Sequence, residues 1–130
     1  NLGAARYHAG QHAAALAHFE RAELTWRDVN AKHPVMADVL VGRYRAQRAL
    51  GKKADVAELE RALELAKGLS PFQRAKTEVT LGAALTGPRS IQLVESSVKD
   101  YAECTLPLCQ QELAAAKAWL TERSGGRASR

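Results

Sequence analysis

The sequence predicts an all-α fold, a right-handed α-solenoid of about three antiparallel helix pairs followed by a C-terminal helix. Three observations point there. Glycines recur at Gly3, Gly42 and Gly82, separated by 39 and 40 residues, where a missing side chain lets neighbouring helices approach closely. Glu20-Arg21-Ala22-Glu23-Leu24 is echoed by Glu60-Arg61-Ala62-Leu63-Glu64-Leu65, with Ala22 and Ala62 again 40 apart. The 130-residue chain is 46% hydrophobic but only 5% aromatic, and its richness in alanine and leucine suits helices better than strands.

The elements follow in order. Leu2 to Ala9 reads as a helix and Gly10-Gln11 as a turn. His12 to about Asn30 reads as a second helix, with Ala15, Phe19 and Ala22 spaced four and then three apart on one side. Phe19 is expected to bury its ring between hairpins. His33-Pro34 resets the backbone, because proline fits the first turn of a helix but interrupts its interior. The next helix runs from about Val35 to Leu50 and stops at Gly51. Asp55 caps or opens another that carries Leu59, Ala62 and Leu65 towards Gly68. Ser70-Pro71 starts a helix reaching about Thr86, and Gly87-Pro88 ends it. A sixth extends to around Glu103, and a seventh spans Pro107 to Glu122 with Leu113, Ala116 and Leu120 along one face. Residues 1–123 therefore form one repeat domain. Residues 124–130, which lack large apolar side chains, are expected to fray as a flexible tail. The first helix begins inside its repeat, so the chain reads as the excised end of a longer array.

Composition narrows the function classes. No apolar stretch approaches the roughly 18 residues of a membrane span, and Asn1 to Gly10 lacks the basic-then-apolar order of a signal peptide. Cys104 and Cys109 are too few for a disulfide scaffold and lack further zinc-ligand neighbours; read as isolated thiols, they suit a reducing cytoplasm. Nineteen basic residues against fourteen acidic give a net charge of +5, which attracts acidic partners without naming one. The cations bunch as Arg43, Arg45, Arg48, Lys52 and Lys53, with no acidic residue between Asp38 and Asp55.

No catalytic constellation is present in the sequence. His8, His12, His18 and His33 do not form the His-Glu-x-x-His arrangement of a zinc peptidase, and His8 and His12 straddle the Gly10 turn. There is neither a Gly-Lys-Ser/Thr phosphate loop nor a Gly-x-Ser-x-Gly elbow. Glu58, Glu60 and Glu64 read as a solvated helix face. The chain is thus expected to be non-enzymatic, with no cofactor and no metal.

The order Leu2-Gly3, Gly10, Ala15, Phe19, Ala22 resembles the tetratricopeptide signature, in which a leucine-glycine pair, a turn glycine, an alanine, a large apolar residue and a second alanine follow one another. Arg6 stands at the family's usual tyrosine, with Tyr7 one place beyond, and the initial tryptophan is absent. The period near 40, with His33-Pro34 and then Ala37 and Leu40, resembles the longer variant of kinesin light chains and many bacterial signalling proteins. Leu113-Ala114-Ala115-Ala116-Lys117-Ala118-Trp119-Leu120 is similar to the C-terminal repeat regions of bacterial serine/threonine protein kinases. The likeness covers Leu2 to Gly68 well and Ser70 to Glu103 less closely.

This resemblance implies a cytoplasmic protein–protein interaction module, part of a larger bacterial signalling protein such as a serine/threonine kinase. The first helix of each repeat would line the concave side, which makes Tyr7, His8, Tyr44, Gln47, Arg48, Lys76 and Ala83 the candidate binding residues. Arg45, Arg48 and Lys76 would pair with acidic groups of a protein or peptide, and Tyr44 would add apolar contact. Neighbouring repeats of the parent chain are further partners. The alternative is a basic helical-repeat module that binds nucleic acid, with Arg45, Arg48 and Lys52 as a positive stripe.

Overall fold

The computed structural model describes residues 11–128, with side chains over 11–123. The expected helix Leu2 to Ala9, together with Gly3, Tyr7 and His8, lies outside the described residues. Within them the protein is all-α: α1 (His12–Asn30), α2 (Val35–Ala49), α3 (Val56–Ala66), α4 (Pro71–Ala84), α5 (Pro88–Tyr101) and α6 (Pro107–Ala128). No strand occurs among the described residues. None of these helices is long and apolar enough to cross a membrane. The last helix continues past the expected end at Glu122 and into the segment expected to fray.

The helix ends follow from local backbone chemistry. His33 Nδ1 accepts a hydrogen bond from the Val35 N–H at 3.1 Å, satisfying a donor that the first turn of α2 leaves open. At the other end, Gly51 takes φ of +71°. The Lys52 N–H then reaches the Gln47 carbonyl (2.8 Å) while the Gly51 N–H reaches that of Arg48 (3.0 Å). These paired bonds form a Schellman cap, whose left-handed residue is glycine because a Cβ is disfavoured there. The Asp55 carboxylate accepts from the Ala57 N–H at 2.9 Å to open α3. At α4, the Ser70 N–H and hydroxyl both donate to Gln73 Oε1 (3.2 and 2.8 Å), and Pro71 supplies the helical φ of the first turn.

The contacts group the chain into two compact units, residues 1–69 and 70–130. In the first, α2 packs against both α1 and α3. It is accordingly buried on several sides, through Met36, Ala37, Val39, Leu40, Val41, Tyr44 and Ala46. Phe19 from α1 is only 1% exposed, with its ring against Gly42, where an added Cβ would overlap it. In the second unit, α5 packs on α4 and on α6. Ala75, Tyr101, Cys109 and Leu113 form a buried cluster there, with Val79, Val98 and Cys104 packed against it. Gly82 again marks a close approach: an added Cβ would fall 2.7 Å from a Val94 methyl and 3.0 Å from the Ser90 carbonyl.

Two readings of the sequence need correction. Cys104 and Cys109 are joined in a disulfide, so neither is a free thiol. The turn between α5 and α6 brings together two residues that sequence spacing left as separate. Glu58, in turn, is not simply solvated: it is half-buried beside Arg43, with 3.3 Å between Oε2 and the guanidinium. Glu64 does lie exposed, paired with Lys67 at 2.9 Å.

Candidate partner-binding surface

The predicted basic run lies at the C-terminal end of α2 and in the turn that follows, but its members have different roles. Arg43 is a structural bridge. Its guanidinium pairs with Glu23 of α1 and with Glu58 of α3, while Arg27 holds the other Glu23 oxygen at 2.5 Å. Glu23 is only 4% exposed, and two guanidiniums offset the cost of burying its charge. Arg61 adds a second link between α3 and the end of α1, donating to the Ala31 carbonyl at 3.2 Å.

The other candidates divide by burial. Tyr44 is 8% exposed, so its ring belongs to the core and offers little surface to a partner. Arg45 and Gln47 are half-buried, and Arg45 already engages another group of the protein. Arg48, Lys52 and Lys53 are exposed. Lys76 stands in the second unit, half-buried on α4 and also engaged with another group of the protein, while Ala83 is exposed on the same helix. Tyr7 and His8 fall outside the described residues.

Gln47 and Arg43 are brought together with the α2–α3 turn around an open cleft of about 580 Å³, completed by Lys53, Asp55, Val56 and Glu58. Two cations and two carboxylates make the lining formally neutral, yet they are not equally available. Arg43 is committed to Glu23 and Glu58, and Asp55 to the first turn of α3. The Gln47 carboxamide and the Lys53 ammonium remain to meet a ligand. The Schellman cap fixes the turn that carries Lys52 and Lys53, and the negative end of the α2 dipole favours cations there. Sequence reasoning found Gln47 but placed Lys53 only in a general basic run, since the turn alone brings it to the cleft.

A smaller cavity of about 200 Å³ occurs in the second unit between the α4–α5 turn and α6, lined by Leu85, Thr86, Ser90, Ile91, Trp119 and Arg123. The Arg123 guanidinium lies 4.1 Å from the Trp119 ring centroid, a cation–π contact. Among the described residues no three His, Cys, Asp or Glu side chains converge as a metal site. His33 instead caps α2 and packs on Trp26, with centroids 4.7 Å apart, and His18 meets Phe19 edge-on. Comparison with protein-family models, curated proteins and solved structures found no match to this chain.

Proposed function

We propose that the chain is a non-enzymatic protein-interaction module, a tetratricopeptide-like solenoid segment of a larger bacterial signalling protein such as a serine/threonine kinase. The observation that carries this reading is the cleft beside the α2–α3 turn, where Gln47 and Lys53 line an open space and Arg48 and Lys52 lie exposed nearby in the sequence. A carboxamide donates to and accepts from a peptide backbone, and ammonium groups favour an acidic side chain or a terminal carboxylate. The occupant is accordingly a peptide segment with acidic groups. The two-helix period and the resemblance of Leu2 to Gly68 to the tetratricopeptide signature support the same reading. Of the two grounds for a cytoplasmic placement, the Cys104–Cys109 bond removes the one that read the cysteines as separate thiols, and the resemblance alone supports it.

The test is to pan a displayed random-peptide library against the intact 130-residue chain, then titrate the enriched peptides into it and into Lys53→Glu. Acid-containing peptides should be enriched, and charge reversal at Lys53 should weaken them at least tenfold. The alternative, nucleic-acid binding through Arg45 and Arg48, predicts no peptide enrichment and an oligonucleotide affinity that falls steeply with salt. In that case Arg45→Ala/Arg48→Ala would lower both the affinity and its salt slope, and the peptide reading would be abandoned.

A further inference from the structure

Arg74 and Glu78 lie one turn apart on α4, and Ser96 and Asp100 one turn apart on α5, the helix packed against it. The four side chains make a ladder across the hairpin. Arg74 Nε stands 3.6 Å from Asp100 Oδ2, and the Ser96 hydroxyl donates to Glu78 Oε2 at 2.5 Å. Glu78 is only 7% exposed and Asp100 is half-buried. Glu78 Oε1 and Asp100 Oδ2 are both shielded from solvent, and neither has a hydrogen-bond donor. Two facing carboxylates cannot satisfy each other, since each only accepts. One proton changes that, because a carboxylic acid donates to the carboxylate opposite and removes one of two like charges.

We propose that Glu78 and Asp100 hold a single proton between them, and that its loss loosens the α4–α5 hairpin, so that the second unit carries a pH-sensitive clasp. The surroundings of Glu78 support this geometry: burial pushes its carboxyl up to about 7, and the bond to Asp100 and that residue's charge push the same way. The Ser96 hydroxyl and the Arg74 guanidinium oppose them by favouring the ionised form. The charged groups acting on Glu78 thus come from α4 (Arg74) and α5 (Asp100), and α6 adds none among the described residues. With its folded value above the ordinary 4.5, the native state binds the proton more tightly than the unfolded chain. The resulting stabilisation is full below about pH 4.5 and declines as pH rises through about 7.

The test uses the intact chain. Side-chain carboxyl NMR should find one glutamate titrating near neutrality and absent from the Glu78→Gln spectrum, and Asp100→Asn should move that titration towards the ordinary carboxylate range. Glu78→Gln keeps a donor towards Asp100 and an acceptor towards Ser96 without an ionisable proton. Its urea midpoint should therefore change less between pH 5 and pH 8 than that of the parent, and at pH 8 it should exceed the parent's. A merely structural Glu78 would give a variant weakened equally at both pH values. An ordinary glutamate titration in the parent chain overturns the proposal, whether or not either variant folds.

Discussion

A methyl group at Gly42 would overlap the Phe19 ring, so the two positions share one space across the α1–α2 contact. Gly42→Ala should cost about 2 kcal/mol by overpacking, and Phe19→Ala about 3 to 5 kcal/mol through the cavity it leaves. The double variant should cost clearly less than the sum, because the new methyl enters the vacated space. Urea denaturation of the four proteins of this cycle measures the coupling, and strict additivity would show that the ring packs elsewhere. Thr77 presents the opposite case: it is fully buried on α4 and its hydroxyl has no hydrogen-bond partner. Thr77→Val removes an unsatisfied polar atom at similar volume, so the variant should gain about 1 kcal/mol, and a lower denaturation midpoint would mean that the hydroxyl is in fact satisfied.

At the scale of the helices, most starts and stops were legible in the sequence because they depend on chemistry a few residues wide. Pro34, Gly51, Asp55, Ser70-Pro71 and Gly87-Pro88 act through their own φ or a neighbouring N–H, and the observed ends fall beside them. Which charges are buried depends instead on the facing helix, and was not legible. Glu23 belongs to the Glu-Arg-Ala echo, yet it is buried between guanidiniums, whereas Glu64 at the end of that echo is exposed. Arg43 looked like one of several surface cations until α1 and α3 each supplied it with a carboxylate. Arg43→Ala leaves Glu23 buried with one cation instead of two, so it should cost about 3 kcal/mol. Glu23→Gln in the same background should recover part of that loss in thermal unfolding. A loss no greater than that of an exposed Arg48→Ala control would refute the bridge.

For the molecule as a whole, the repeat spacing anticipated two close approaches but not how they are made. Gly42 receives a side chain from the helix before it, Phe19, whereas Gly82 receives Val94 from the helix after it. Glycines 40 residues apart therefore mark tight packing without marking equivalent neighbours. The disulfide was hidden for another reason: Cys104 and Cys109 sit on either side of a turn, and only its path brings their Cα atoms to 5.9 Å. Since Cys109 belongs to the buried cluster of the second unit, cutting this short loop should destabilise that unit by about 2 kcal/mol on the loop-entropy model. Denaturation with and without reductant, read at Trp119, measures the effect. A Cys104→Ser/Cys109→Ser chain should match the reduced protein and be indifferent to reductant, and a midpoint unchanged by reduction would show that the bond contributes nothing.

The ring closed by Cys104 and Cys109 also bears on how this sequence is free to drift. Thr105, Leu106, Pro107 and Leu108 between the sulfurs are all exposed. A covalent bond, not their burial, holds the ends of this segment together. Thr105 and Leu106 precede the first turn of α6, so substitutions of these two side chains should be nearly neutral, and this short stretch should accept foreign residues more readily than the helices on either side. The cysteines have no such freedom, because losing either strands the other as a lone thiol in the packed cluster. A lineage that discards one should soon discard both.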